Sequence, residues 1–511
     1  MGRSLTHIMK SRFPLDDSEL RRWFHRFGPP SLNQEMDDVN WTVLLNRVRS
    51  QTPNTRQLRF LAIGAGLLAM LVALPLALHP GKPLTLRPAK PPARSPANLT
   101  VPAISLAHTQ PAPARTSGTY VNTHAVSTLG SVAFISHGSL WAVPSGGSLT
   151  QIAQNASTPA WSHQSQYLGY IVSTPLQNGQ IGAHPVLDVW DAQTHQHVLS
   201  VPHVYQYAWR PNHAQLVAIA NQQLLLITFT ARGVVLSHLG DPKSHYTSIL
   251  WSHTGLTLYA SLRSGSALSG QQFGTLEAFS RLSTHPHPTT LLRLKQTGIQ
   301  LAGTVPLHHT VLYWTDPQFS ASMMADGALL FAFQVLTHKT TPVGSSLPHP
   351  GYLSIPSGNP WVFMSGGGRQ MTGGKGVTFV HVTRHTAALT TPKDQEFIEP
   401  AWNAQTGSLA MVVAQNQPTV FGGASLVHWQ NTRTLVVWHK GKLTPWLAAG
   451  AGVTDPHWIP GGHGILFIRQ GWLWSMANAS ATPQRVLGPL SDTGPGYYGE
   501  ISWSSIVAFS F

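Results

Sequence analysis

Histidine is the side chain with which this sequence could most readily do chemistry. There are 27 histidines against 18 aspartates and glutamates, and no cysteine. Imidazole serves as a metal ligand and as a proton carrier near neutral pH. The densest groupings are His285-Pro-His287 and His308-His309. A metal centre needs three or four converging ligands. Neither grouping has a third ligand at useful spacing, and no His-Glu-x-x-His pattern is present, so no metal is expected. The lack of cysteine removes disulfides, thiolate sites and cysteine nucleophiles together. The glycine-rich run from Gly366 to Gly376 resembles a phosphate loop only superficially. Arg369 stands where the first glycine belongs, and Gly376 replaces the hydroxyl residue after Lys375. It reads as a connection between strands. No Gly-x-Ser-x-Gly nucleophile elbow occurs. The expectation is therefore no catalytic residue, no cofactor and no metal.

The elements that must position any site are announced by a repeat. Six stretches are nearly alike: Thr158-Pro-Ala-Trp-Ser162, Tyr207-Ala-Trp-Arg210, Ile249-Leu-Trp-Ser252, Pro400-Ala-Trp-Asn403, Pro456-His-Trp-Ile459 and Ile501-Ser-Trp-Ser504. Most lead through a polar turn into an apolar strand. Their markers, Trp161, Trp209, Trp251, Trp402, Trp458 and Trp503, are separated by 48, 42, 151, 56 and 45 residues. A period of this size, with four strands per repeat, predicts an all-β propeller. The long gap has room for two repeats that have lost the marker. They are expected at Ile299–Ala302, Thr310–Trp314 and Gly327–Phe333, and at Gly351–Ser354, Trp361–Met364 and Val377–Val382. That makes eight blades, with seven as the alternative. The last strands, up to Phe511, cannot complete a blade alone. Ser131–Ile135, Ser139–Val143 and Leu149–Ile152 supply the complement, so the two ends are expected to share a blade and leave no open edge. The tryptophans are expected to pack between blades.

The repeat resembles the TolB-like, WD40-like β-propeller repeat, whose core reads Pro-x-Trp-Ser-Pro-Asp-Gly before an apolar strand. The resemblance covers residues 118–511 and implies a propeller. The family's Asp-Gly turn is mostly lost here, becoming for example Ser252-His-Thr-Gly255. Peptidases that join a propeller to a hydrolase domain are disfavoured by the missing elbow. Quinone-dependent propeller dehydrogenases are disfavoured by the scarcity of carboxylates for calcium.

Ahead of the propeller, residues 58–79 are the one run of membrane length, with no charge between Phe60 and Leu78. Residues 80–117 are rich in Pro, Ala, Ser and Thr and read as a stalk. Arginines and lysines flank the span equally, so charge alone does not orient it. Composition does. Residues 1–59 carry ten Lys and Arg and six Asp and Glu, whereas residues 118–511 carry 17 and 12, with 23 of the histidines. So sparsely charged a domain suits an acidic exterior, where carboxylates lose their charge. The propeller is expected outside the plasma membrane and residues 1–57 in the cytosol. There, two helices would present the adjacent Trp23 and Phe24, with Phe27, Val39, Trp41, Leu44 and Val48, to a partner. This layout resembles that of transmembrane anti-sigma factors, without their zinc motif. Although the chain carries +14, the propeller's excess of base is small and scattered, and nucleic acid is not an expected partner.

The function expected from sequence is a membrane-anchored binding module for an envelope protein or another envelope component. The alternatives are a single-span regulator with the propeller as sensor, and an enzyme with its site in the propeller channel.

Overall fold

The computed structural model describes residues 98–100, 118–173, 185–265, 272–280, 282, 287–306, 309–316, 327–356, 361–366, 375–382, 386–416, 423–491 and 503–510. The helical segment 1–57 with its proposed contact residues, the span 58–79 and most of the stalk 80–117 lie outside the described residues. Among the described residues, no helix is long and apolar enough to cross a membrane.

Strands that follow one another in sequence pair antiparallel in fours. Ala156–Trp161, Tyr167–Val172, Val186–Asp191 and Gln196–Pro202 form one sheet. Val204–Trp209, Gln215–Ala220, Gln223–Thr230 and Gly233–Leu239 form the next, followed by His245–Trp251, Thr257–Ser264, Phe273–Ser280 and Thr289–Lys295. Further on come Gln395–Asn403, Ser408–Gln415, Thr434–His439 and Lys442–Pro445. The sheet of Val453–Trp458, Ile465–Arg469, Trp472–Met476 and Gln484–Gly488 is extended at its outer edge by Tyr120–Val121.

The stretch without markers holds two more groups of four. Gly298–Val305, Thr310–Asp316, Ala328–Gln334 and Lys339–Ser346 form the first, and Leu353–Ser354, Trp361–Gly366, Gly376–His381 and Thr386–Thr390 the second. One bridge, Ser346 to Gly366, joins them into a single hydrogen-bonded sheet. The glycine-rich run accordingly lies between Trp361–Gly366 and Gly376–His381, two adjacent antiparallel strands. On the outer edge of this second group, Asn98–Thr100 pairs parallel with Thr386–Thr390.

The two ends of the domain meet. Val507–Ser510 pairs antiparallel with Ser131–Ser136, which continues into Ser139–Val143 and Thr150–Gln154. The side chains of Ser131–Ser136 alternate between two packing faces, as the strand period of two requires. Val132 and Phe134 pack with Leu466, Ile468, Leu473 and Val507. Ala133 and Ile135 pack with Trp161, Leu168, Tyr170 and Trp190. Every sheet therefore has two apolar faces, each buried against a neighbour. Middle strands such as Ser408–Gln415 are consequently buried almost throughout, and the outer strand Thr289–Lys295 is mostly exposed. Face-to-face packing of four-stranded sheets is the construction of a propeller.

Two elements depart from the expected pattern. Trp503 does not end a strand; it opens a helical turn, Trp503–Ile506, that leads into Val507–Ser510. A ten-residue helix, Gly423–Thr432, is inserted between Ser408–Gln415 and Thr434–His439. Its Trp429 is buried.

Candidate functional site

The first strand of each sheet carries the geometry that distinguishes one blade from another. In Ala156–Trp161, Gln395–Asn403 and Val453–Trp458 the ladder to the second strand skips two residues. These are Thr158-Pro159, Glu399-Pro400 and Asp455-Pro456. Proline has no N–H to give to a ladder, so each strand bulges there. The residue before the proline takes a left-handed conformation, with φ of 48° at Thr158, 53° at Glu399 and 49° at Asp455. Val204–Trp209 and His245–Trp251 lack the proline and skip one residue each, Tyr205 and Thr247. A bulge turns a side chain out of the regular alternation, so these two positions are free to face a ligand.

The marker tryptophans stitch blades together. The indole N–H of Trp209 donates to the carbonyl of Ala160 at 2.9 Å, that of Trp251 to Ala208 at 3.1 Å, and that of Trp458 to Ala401 at 2.9 Å. Each acceptor immediately precedes the marker of the preceding blade. A second stitch runs beside the first. Ile249 N–H donates to Gln206 Oε1 at 3.2 Å, Leu301 N–H to Ser248 Oγ at 3.1 Å, and Asp455 N–H to Glu399 Oε2 at 2.7 Å. The indole nitrogens of Trp161 and Trp402 have no hydrogen-bond partner among the described residues.

Two cavities open along these first strands. The larger, of about 640 Å³, spans Val204–Trp209, His245–Trp251 and Gly298–Val305 at the ends where the strands begin. Tyr205, Gln222, Thr247 and Arg263 are exposed in it, with Gln206 and Gln300 half-buried. Its floor includes the buried Ile219, Leu262 and Ile299. The walls are fixed from behind. Ser248 and Ser261 share a 2.6 Å hydrogen bond, Thr247 Oγ1 lies 2.9 Å from Ser261 Oγ, and the Tyr246 hydroxyl donates to Glu277 at 3.1 Å. Burial and the neighbouring Glu277 charge hold the Tyr246 phenol protonated. Burial also raises Glu277.

The smaller cavity, of about 370 Å³, lies against Leu353–Ser354, Gln395–Asn403 and Val453–Trp458 and is lined by His349, Glu399, Asp455 and His457. Behind it stands a buried ionic cluster, notable in so uncharged a domain. Glu399 accepts from Arg433 Nη1 at 3.1 Å, from Thr454 Oγ1 at 3.0 Å and from the Asp455 N–H. The Arg433 guanidinium lies 4.1 Å from the ring centre of Trp429, whose indole donates to Glu396 Oε1 at 3.1 Å and to the Gln415 carbonyl at 2.9 Å. Burial pushes Glu396 up to about 7 against the pull of Lys375 and Arg433, and pushes Lys375 down to about 8 against the pull of Glu396. Burial likewise lowers His349 to about 4 and lowers His457. His457 is exposed in the cavity. Glu399 is committed to three donors inside the wall, which is a structural use of a carboxylate. Among the described residues no group of three His, Asp or Glu is arranged to hold a metal ion.

Of the six markers, five end or nearly end a first strand, and Trp209, Trp251 and Trp458 bind the preceding blade. Trp402 and Trp458 line the smaller cavity, and Trp161, Trp209, Trp251, Trp402 and Trp458 are not among the described residues that line the larger. Tyr205, Thr247, Glu399 and Arg433 were not singled out by sequence. The signal for the first three is the presence or absence of proline two residues before the marker, since it separates the two kinds of bulge.

No protein-family model matches the chain, and no curated protein matches it. Among solved structures, it is similar to the β-propeller domain of the Trilobed protease from Pyrococcus furiosus, at 9% identity and a TM-score of 0.35, over 70% of this chain and 91% of that one. It is similar to dipeptidyl peptidase 4 from Porphyromonas gingivalis, at 8% identity and a TM-score of 0.48, over 72% of this chain and 60% of that one. It is also similar to an acylaminoacyl peptidase from Pyrococcus horikoshii, at 8% identity and 0.38, over 65% and 52%. The chain thus spans between half and three fifths of the length of these last two peptidases. The propeller reading rests on the sheets themselves.

Proposed function

We propose that residues 118–511 are a TolB-like propeller of eight blades, closed by the pairing of its two ends. In this reading it is held outside the plasma membrane by residues 58–79 and works as a binding module for an envelope component. The observation that carries the binding role is the 640 Å³ cavity on three consecutive blades. Its size suits a small ligand or one end of a larger one, for which sites run to roughly 300–1,000 Å³. Its two bulged residues, Tyr205 and Thr247, occupy equivalent places on neighbouring blades and are turned from the ladder toward it. Closure is supported by the Ser131–Ser136 pairing and by the apolar cluster that joins the first and last sheets. The channel-enzyme reading has less support, because Glu399 is consumed by internal hydrogen bonds.

The chain contains no cysteine, so single-cysteine variants test both location and occupancy. Thr247→Cys places a thiol in the cavity, and Leu336→Cys places one on a turn that is 74% exposed. With a membrane-impermeant maleimide on intact cells, Leu336→Cys should label fully. Thr247→Cys should label less in cells than in the purified protein, because a ligand covers it. Labelling of Leu336→Cys only after lysis would overturn the exterior location. Equal labelling of Thr247→Cys in both settings would overturn the binding role.

A further inference from the structure

The chemistry of the larger cavity narrows its ligand, on the premise that it is a binding site. We propose that it takes a short, neutral oligosaccharide.

The first observation is Tyr205. Its side chain is 65% exposed at the mouth of a cavity, on a bulge that removes it from the ladder. A tyrosine ring offers a flat apolar face together with a polar tip. The C–H face of a pyranose is the complementary surface, apolar in the middle and ringed by hydroxyls.

The second observation is the kind of polar group around that ring. Gln206, Gln222, Gln300 and Thr247 line the cavity with amides and a hydroxyl. Three of them hold one side in the wall, Gln206 on the Ile249 backbone, Gln222 on His245 and Thr247 on Ser261. An amide so held keeps a second N–H and a second carbonyl lone pair, and can still donate and accept toward the cavity. A sugar hydroxyl also does both, so this lining can meet a row of hydroxyls without a charge mismatch.

The third observation is charge. Among the described residues lining the cavity Arg263 alone is charged, and none is acidic. A short peptide brings an ammonium group, which would face no carboxylate there. A phosphorylated ligand is ordinarily gripped by several cations or by forked arginine contacts. A purely apolar ligand would strip water from the N–H and carbonyl positions that the wall leaves open on these amides without replacing those hydrogen bonds, which is costly. A neutral polyhydroxylated ligand incurs none of these costs.

The walls are also pre-formed. Gln206 is held by Ile249, and Ser248 by both Ser261 and Leu301, across three blades. Little ordering remains to be done on binding, and pre-organisation raises affinity by lowering that cost.

The test is calorimetric titration of the purified full chain in a sugar-free detergent. The probes are cellotetraose, maltotetraose, mannotetraose, xylotetraose and chitotetraose, with tetra-alanine and tetragalacturonate as the competing classes. At least one neutral tetrasaccharide should bind with a Kd below about 1 mM. Tyr205→Ala should weaken it about tenfold or more, Tyr205→Phe should stay within about threefold because the ring face is kept, and Gln300→Ala should weaken it about threefold to tenfold. Circular dichroism of each variant must match the parent. If Tyr205→Ala does not fold, Gln300→Ala and Tyr205→Phe decide the matter. Tetra-alanine or tetragalacturonate binding in a Tyr205-dependent way, with no neutral sugar doing so, would overturn the sugar class and leave the binding role standing. Neutral sugar binding that ignores both Tyr205→Ala and Gln300→Ala would overturn the assignment to this cavity. No binding by any probe below about 10 mM would overturn the proposal outright, and the cysteine-protection experiment would then say separately whether the cavity is occupied at all.

Discussion

Residue by residue, a few of this protein's charges are buried. Arg433 is 2% exposed and Glu399 5%, and Glu399 sits on the left-handed bulge that shapes Gln395–Asn403. Taking two charges out of water is expensive, and their attraction compensates only when both are well hydrogen-bonded. Glu399 meets that condition through Arg433, Thr454 and the Asp455 N–H. The last of these bonds ties one blade to the next. Removing Arg433 would leave a buried carboxylate short of its counter-charge. Arg433→Met should therefore lower stability by about 3 kcal/mol. Arg433→Met combined with Glu399→Gln should recover a large part of that loss, because the amide can still accept from Thr454 and Asp455. Urea unfolding followed by tryptophan emission would check both. A double variant no better than the single one would mean that the charge is not what matters.

At the scale of elements, the closing strand makes the sharpest claim. Val507–Ser510 is short, yet it fills the edge of Ser131–Ser136, and Ile506 and Val507 are both about 1% exposed in the cluster between the first and last sheets. Burying two such side chains is worth roughly 1.5–3 kcal/mol each. Deleting Ile506–Phe511 should lower the melting temperature by about 5 °C in a domain of this size and leave an open strand edge. An unchanged melting curve would show that the edge is sealed by something else. The strand itself was legible in the sequence, because Ile506–Phe511 is an apolar run left over after the blades are counted. The first strands were legible too, because each marker tryptophan must fit between two sheets. The two groups of four without markers were legible from apolar runs of strand length such as Thr310–Trp314. The bulges were not, since a bulge exists only relative to the register of a second strand. Neither was the helix Gly423–Thr432, whose sequence has no marked apolar face and whose anchor, Trp429, finds Glu396 33 residues away. The cavity was invisible for the same reason: Tyr205, Thr247 and Gln300 are separated by 42 and 53 residues and become neighbours only when blades stack.

For the whole molecule, the response to acid depends on how opposed groups balance. The sequence suggested a sparsely charged domain with few carboxylates to lose their charge in acid. The structure adds buried groups whose proton affinity changes on folding. His349 falls to about 4 in the folded protein, so it contributes stability that is fully present above about pH 6.5 and is lost as pH falls through about 4. His457, lowered as well, acts in the same direction. Glu396 rises to about 7, so its contribution has the opposite sign: it is fully present below about pH 4.5 and is lost as pH rises through about 7. Each pKa unit corresponds to about 1.4 kcal/mol. The His349 and Glu396 contributions are thus each about 3–4 kcal/mol at most, over nearly the same window and in opposite senses. Between pH 7 and pH 4 the parent protein should therefore change stability by less than about 2 kcal/mol. Lys375 stays out of this window, because its lowered value of about 8 confines its loss of stability to the fall from about pH 10.5 to pH 8. Single substitutions should expose the balance. Glu396→Gln removes the group that gains from acid, so that variant should lose stability steadily from pH 7 to pH 4. His349→Gln removes a group that suffers from acid, so that variant should hold or gain stability over the same range. Urea midpoints for the three proteins at half-unit steps of pH would decide it. Parallel curves would mean that neither group titrates inside the fold, and tolerance of acid would then rest on the sparsely charged surface alone.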